Sequence, residues 1–337
     1  MKSKVICLRP KHDFDRAGIT MPASFNVEFY PKADEERLAE VCADADVLLS
    51  SSTTPPITAK IISRARALKL IQLTGSGYNT VDLAAADKAG VPVARIPGQN
   101  SKSVAQFAFV LMSMLDWGIL EADTETKKGH FEEVREKIRK AGAYELEGKV
   151  LGILGVGPIG KEMARIGAFF DADLCYFDIL RLSPEQEKEL KLTYVDFETL
   201  LKRSDILTLH IPLTRETRKL IGSKELGWMK PTAILINTSR GGIVDEKALL
   251  DALASGRLKG AALDAFEPEP IPPDHPFLSL DGDLQKRIIL TPHIGGATRQ
   301  AHRRMYQESI DNILRVLRGE QPKYVVNLKH AGGKTSE

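Results

Sequence analysis

Residues 151–160 read Leu151-Gly152-Ile153-Leu154-Gly155-Val156-Gly157-Pro158-Ile159-Gly160. A short apolar run ends in Gly155-x-Gly157-x-x-Gly160, and a helical pattern, Pro158–Phe169, opens at once. In that setting the three glycines supply a tight turn, a close backbone approach and close helix–strand packing. The free amides and the positive end of the helix then face the phosphates of a dinucleotide. Asp178 stands eighteen residues past Gly160, at the end of the next apolar run, where its carboxylate can accept hydrogen bonds from a ribose. The competing reading is an ordinary glycine turn followed by a helix-capping aspartate. With 26 glycines in the chain a bare match carries little. The strand before, the helix after and the acid beyond favour the dinucleotide site.

Working outward, β-like and helix-like segments alternate on both sides of this turn. Before it, apolar runs lie at Val5–Leu8, Val27–Tyr30, Val47–Leu49, Leu70–Leu73 and Val91–Ile96. Helical patterns separate them at Asp34–Ala43, Ile57–Ala65 and Val81–Ala89, the last closed by Gly90 as a C-cap. After it, strands are predicted at Val150–Leu154, Leu174–Phe177, Ile206–His210, Ala233–Asn237, Ala261–Leu263 and Ile288–Leu290. Helices are predicted there at Pro158–Phe169, Phe197–Arg203 and Asp245–Ala254. This alternation predicts an α/β protein with parallel sheets covered on both faces. The glycine turn begins near residue 150, so the nucleotide unit is inserted into, or follows, a first α/β unit. Ser101–Trp117 and Ala297–Arg318 read as long helices, the first buried over most of its surface. Glu121–Lys140 is highly charged, helical or irregular: a solvated face, or an arm that packs on a partner subunit. Pro268–Pro276 is too rich in proline for regular structure, and a polar tail closes the chain.

Composition narrows the function. The 337 residues suit about two domains. Lys+Arg 47 against Asp+Glu 45 gives +2, with no clustered basic face for a nucleic acid. No apolar stretch is long enough to span a bilayer, and the N-terminal run is too short for a signal peptide. Three scattered cysteines, Cys7, Cys42 and Cys175, argue against a disulfide scaffold and a Cys-rich metal site. A soluble protein of the reducing cytoplasm, with no membrane, nucleic acid or metal, is expected.

Three segments downstream of predicted strands carry chemistry. Asn237-Thr238-Ser239-Arg240-Gly241-Gly242 follows one strand, and ligands of open α/β sheets bind outside the carboxyl ends of strands. The Arg240 fork suits a carboxylate. Leu263-Asp264-Ala265-Phe266-Glu267-Pro268-Glu269-Pro270 ends a second strand, and Thr291-Pro292-His293-Ile294-Gly295-Gly296 a third. Among seven histidines, His293 lies in a strand-end loop before paired glycines, but His210 also ends a strand and is its rival. Glu267 and Glu269 lie two apart; in extended chain they share a side, so spacing does not choose between them. Beside a nicotinamide, an imidazole can exchange the hydroxyl proton and a carboxylate can fix its tautomer and favour its protonated form. The arginine can hold the substrate carboxylate and polarise the neighbouring carbonyl.

These segments, with Gly75-Ser76-Gly77-Tyr78-Asn79-Thr80-Val81-Asp82, Asn100–Gln106 and Leu209–Thr217, resemble the D-isomer-specific 2-hydroxyacid dehydrogenases over nearly the whole chain. The resemblance implies two Rossmann-like doubly wound domains. A flavodoxin-like substrate domain of residues 1–100 plus 297–330 would be split by an NAD-binding Rossmann domain of residues 101–296. It implies hydride transfer between NAD and a small D-2-hydroxy acid or 2-oxo acid. The family's catalytic residues fall on Arg240, Glu269 and His293, and its substrate-carboxylate loop on Ser76 and Gly77. Its cofactor contacts fall on Gly155, Gly157, Pro158, Ile159, Gly160, Asp178, His210, Thr217, Thr238, Asp264 and Gly295. His210 thereby becomes cofactor-adjacent. The family also implies a homodimer to which Trp117–Tyr144 contributes, and a pocket lined by Tyr78 and its loop.

The chain departs from the family pattern in places. Pro158 stands where many members carry a basic residue, and Gln106 where an acidic one is common. The phosphoglycerate branch has an arginine after the strand matching Val47–Leu49, where this chain reads Ser50-Ser51-Ser52-Thr53-Thr54, and no regulatory domain is expected. Both points weigh against a phosphorylated substrate. The alternative function is an NAD(H)-sensing, corepressor-like binding protein on the same fold, which would bind the cofactor without turning over any 2-oxo acid. Formate or phosphite oxidation is a weaker third reading, since no feature selects those substrates.

Overall fold

The computed structural model describes residues 2–52, 54–142, 144–280 and 282–328. Thr53 of the serine–threonine run, Ala143 of the expected interface segment and residues 329–337 of the tail lie outside that set, as do Met1 and Asp281. The chain forms two compact units, one of residues 1–100 with 297–337, the other of residues 101–296.

The first unit is built on five parallel strands: β1 (Ser3–Cys7), β2 (Phe25–Phe29), β3 (Val47–Ser50), β4 (Leu70–Leu73) and β5 (Val93–Ala94). Their order is β2-β1-β3-β4-β5, the flavodoxin-like arrangement. The strands β3 and β4, apolar but for Ser50 and Gln72, are buried at every position, as a sheet covered on both faces requires. Ile6, Leu48 and Ile71 pack under helices Glu35–Val41 and Ala59–Arg64. Val5, Val47 and Leu70 pack on the other face with Tyr306 and Ile310 of the long helix Arg299–Leu317. The run expected over residues 91–96 pairs only at Val93 and Ala94, because Pro92 has no amide to donate. The short helix Lys11–Arg16 buries only Phe14, too little apolar periodicity to be read from sequence.

The second unit holds seven parallel strands: β6 (Val150–Leu154), β7 (Asp173–Phe177), β8 (Thr193–Tyr194), β9 (Ile206–Leu209), β10 (Ile234–Asn237), β11 (Gly260–Leu263) and β12 (Ile288–Leu290). The order β12-β11-β10-β9-β6-β7-β8 reverses direction between β6 and β9, which is where a doubly wound sheet opens a crevice. Helix Ser101–Asp116 packs its Ala105, Ala108, Leu111 and Met112 against Ile153, Ile236 and Ala262 of this sheet. The charged stretch after it is helical, as Ile119–Lys127 and Phe131–Ala141, broken at Gly129 with φ +89°. The proline-rich segment is irregular up to its last residue, where Pro276 instead opens a short 3-10 turn, Pro276–Ser279.

Candidate active site

Every polar segment singled out in the second half of the sequence lies at the carboxyl edge of the second sheet. Gly155 follows β6, Asp178 β7, His210 β9, Thr238 and Arg240 β10, Asp264 β11 and His293 β12. Parallel strands put all six loops on one edge.

The glycine turn is closed by contact. Gly155 has φ +92°, and a Cβ there would sit 2.7 Å from Ile211 Cγ2 and 2.9 Å from the His210 carbonyl oxygen, across the β6–β9 crevice. A Cβ at Gly160 would overlap the Gly155 carbonyl oxygen, so helix Pro158–Phe169 can approach its strand only without one. A Cβ at Gly157, by contrast, would meet open space, on the side where a ligand's phosphates belong. Asp178 braces the turn: Oδ2 accepts the Val156 N–H at 2.8 Å and Oδ1 the Leu180 N–H at 3.1 Å. Each oxygen keeps a lone pair for a hydroxyl. Arg181 is turned away, its guanidinium donating to both carboxylate oxygens of Glu187 at 2.9 and 3.1 Å.

Two buried polar atoms on neighbouring strand ends have no protein partner: His210 Nδ1 and Thr238 Oγ1. His210 Nε2 lies 2.9 Å from Thr208 Oγ1. Burial pushes the His210 imidazole down to about 3, so it is neutral at any working pH. Orphaned buried polar groups are rare, and two at the crevice edge point to a bound polar molecule. The turn and these two groups fit a dinucleotide.

Arg240 is fixed by the turn after β10. Asn237 Nδ2 donates to the Arg240 carbonyl at 2.8 Å, and one Nη of Arg240 donates to the Ser239 carbonyl at 2.7 Å. Among the described residues the rest of the fork makes no protein hydrogen bond, which leaves it open for a carboxylate. Burial pulls the guanidinium below its ordinary value, opposed by the charge of Glu269.

His293 Nδ1 lies 2.8 Å from Glu269 Oε2, and Glu269 Oε1 accepts the Phe266 N–H at 2.8 Å. Among the described residues the imidazole's Nε2 has no hydrogen-bond partner. Burial works to raise the Glu269 carboxyl, but the hydrogen bonds from His293 and Phe266 and the charges of His293 and Arg240 outweigh it and hold it below its usual range. His293 itself has φ +56°, a left-handed backbone uncommon outside glycine. Asp264 holds that loop: its oxygens accept the Thr291 hydroxyl at 2.6 Å and the Ile294 and Gly295 N–H groups at 2.9 and 2.8 Å.

Some readings from sequence change here. The chain bends at residues 267–270 rather than running extended, so Glu267 and Glu269 do not share a side. Glu267 instead pairs with Arg218, a residue that no sequence pattern marked. Thr217 spends its hydroxyl on its own turn, donating to the Pro212 carbonyl at 2.7 Å and accepting the Thr214 N–H at 2.7 Å. In the first unit, Ser76 and Gly77 lie in the loop after β4. That loop's carbonyls are tied back, Gly75 O to the Ile96 N–H at 2.9 Å and Ser76 O to Arg95 at 3.3 Å. Among the described residues the Ser76 and Gly77 amides donate to nothing, although Gly77 is buried. The three cysteines are buried and free, with thiols pushed up to about 12, 12 and 11, and no group of three or more candidate metal ligands occurs among the described residues.

A dinucleotide crevice with a histidine–carboxylate pair and a free arginine fork along one sheet edge defines, as a class, a nicotinamide-dependent oxidoreductase. Residues 109–295 match the family described as "D-isomer specific 2-hydroxyacid dehydrogenase, NAD binding domain". The chain is 39% identical over 290 residues to a glyoxylate reductase of Korarchaeum cryptofilum, covering 86% of this chain and 85% of that one. It is 38% identical over 333 residues to a glyoxylate reductase of Thermococcus litoralis, covering 97% of each. The solved structure of the TT0316 protein from Thermus thermophilus superposes with a TM-score of 0.80 at 32% identity, over 96% of this chain and 99% of that one. The chain belongs to the D-isomer specific 2-hydroxyacid dehydrogenase family, as an NAD-dependent enzyme. Among the described residues no single helix is long and apolar enough to cross a membrane.

Proposed function

We propose that this enzyme reduces a small, unphosphorylated 2-oxo acid to the D-2-hydroxy acid, with His293 as the proton donor. When bound, NADH supplies the hydride. Arg240 holds the substrate carboxylate and polarises the adjacent carbonyl; the family resemblance also assigns Ser76 and Gly77 of the first unit to substrate binding. His293 gives its Nε2 proton to the developing alkoxide while Glu269, on the opposite nitrogen, steadies the ring. The cofactor lies along Gly155, Gly157, Pro158, Ile159, Gly160, Asp178, His210, Thr238 and Gly295, with Asp264 bracing the loop of His293 and Thr217 shaping the rim. On this reading residues 101–296 are the cofactor domain and residues 1–100 with 297–330 the substrate domain.

The observation that carries the reading is the 2.8 Å bond between His293 Nδ1 and Glu269 Oε2, which leaves Nε2 free and orients it. It is supported by the neutral, buried His210, which cannot serve as the acid. An unphosphorylated substrate is supported by Arg9 near the loop after β3, which donates to Ser51 Oγ at 3.1 Å and forms an ion pair with Asp13. Relatives named glyoxylate reductase and hydroxypyruvate reductase favour glyoxylate and hydroxypyruvate as substrates. The test is NADH oxidation with glyoxylate, hydroxypyruvate, phenylpyruvate, 2-oxoglutarate and 3-phosphohydroxypyruvate. Turnover is expected with the first two; cofactor binding without turnover on any would overturn it. The exposed Trp117, Ile119, Phe131 and Tyr144 support a homodimer, and the buried free thiols a reducing, cytoplasmic setting.

A further inference from the structure

The proline-rich segment after Glu269 is unused by the chemistry, yet it is pinned at its far end. His275 Nε2 lies 2.8 Å from Glu246 Oε2, and both side chains are largely buried, 11% and 19% exposed. His275 Nδ1 accepts the Phe277 N–H at 3.3 Å. With Nδ1 an acceptor, the proton of the neutral ring belongs on Nε2, pointing at Glu246. Glu246 opens helix Glu246–Ala254, which follows the Arg240 turn through the buried Ile243 and Val244. Among the described residues the other carboxylate oxygen, Glu246 Oε1, is buried without a partner, so His275 is the contact that compensates this carboxylate for burial.

We infer that His275 is a positioning residue for the reaction: clamped to Glu246, it fixes the 270–275 segment and so sets Glu269 against His293. Five residues separate Glu269 from His275, and Pro270, Pro272 and Pro273 among them restrict the backbone. One end of this stiff segment is held by Phe266 N–H and His293 through Glu269. The other is held by Glu246, on the helix that leads back to Arg240. Release of the distal pin lets Glu269 drift from the imidazole, and a displacement of this kind at a proton-transfer pair is costly. The inference rests on the proposed roles of His293 and Glu269.

The experiment compares His275→Ala, His275→Gln, Glu269→Gln and the double variant His275→Ala/Glu269→Gln, with NADH affinity by fluorescence titration as the control for folding. His275→Ala is expected to lower kcat for 2-oxo acid reduction about tenfold or more, with NADH affinity unchanged. His275→Gln, whose amide can still donate to Glu246, should recover most of kcat. In the Glu269→Gln background His275→Ala should add little, because both act through one carboxylate. Additive losses, or a His275→Gln variant as poor as His275→Ala, would overturn the clamp alone. A wild-type rate in Glu269→Gln would overturn the catalytic reading, and the clamp with it.

Discussion

Glu269 Oε2 sits 2.8 Å from His293 Nδ1, whereas Glu267, two residues earlier, forms an ion pair with Arg218. The two glutamates are chemically identical and each precedes a proline, yet one is joined to an imidazole and the other to a guanidinium. The bend over residues 267–270 separates them, and the Phe266 N–H holds the second in place.

This separation has a kinetic signature. Glu269 is held below its ordinary value against the opposing effect of burial, chiefly by its bond to His293, so a charged carboxylate orients the ring. Glu269→Gln keeps the shape of the side chain and removes that charge, and should lower kcat for 2-oxo acid reduction by about tenfold or more. Glu267→Gln should leave kcat near wild type. Steady-state kinetics with kcat lowered by Glu267→Gln and untouched by Glu269→Gln would reverse the assignment.

The two strand-end histidines differ as sharply. His293→Ala should lower kcat by roughly two to four orders of magnitude, the usual contribution of a general acid, with little change in NADH affinity. His210 is neutral and buried, with an orphaned Nδ1 at the crevice. His210→Ala should therefore raise the KM for NADH more than it lowers kcat. Steady-state kinetics that put the large kcat loss on His210→Ala would exchange the two roles.

The glycine turn is the least tolerant segment. Gly160→Ala places a methyl group against the Gly155 carbonyl, where backbone and not a movable side chain must yield. A loss of stability of about 1–3 kcal/mol is the usual size of such overpacking, and NADH binding should weaken with it. Denaturant unfolding and NADH titration of the variant measure both; wild-type values in each would show that the helix can shift without cost.

The strand-ending motifs were legible because their physics is local. Buried parallel strands are continuous apolar runs, so β3, β4, β6 and β12 stand out, and a glycine turn between strand and helix carries its own geometry. The site's contacts were not local. Nothing in the sequence places Arg218 beside Glu267, or Asp264 under the Ile294 and Gly295 amides, because those pairs are made by loops from different strands. The left-handed backbone of His293 is equally silent, being imposed by its surroundings. Elements that bury little were missed for the same reason: helix Pro184–Glu189 has no buried residue, and the two-residue β8 is an edge strand.

The second unit carries exposed large apolar side chains on and beside the charged arm: Trp117, Ile119, Phe131 and Tyr144. Side chains of this size grouped on one segment mark an interaction face. A homodimer burying them should sediment at about twice the 37.1 kDa chain mass. Trp117→Glu with Phe131→Glu should shift the mass toward the monomer. A wild-type mass near 37.1 kDa at micromolar concentration would contradict the dimer.

Cofactor choice turns on Asp178 and on what Arg181 is doing. Asp178 presents a carboxylate at the end of β7, where a 2′-phosphate would meet like charge. Arg181 is three residues on and could in principle neutralise that phosphate, but both arms of its contact are taken by Glu187 and its guanidinium lies over the Tyr194 ring. NADH should therefore exceed NADPH in kcat/KM by about tenfold or more, the equivalent of ~1.4 kcal/mol. Asp178→Ser should narrow the ratio by removing the repulsion. Adding Glu187→Gln should narrow it further, because the neutral amide no longer holds the guanidinium and Arg181 becomes free to reach a phosphate. Equal kcat/KM for the two cofactors in the wild type would sink the argument at Asp178. A ratio unchanged between Asp178→Ser and the double variant would show that Arg181 is kept away by something other than Glu187.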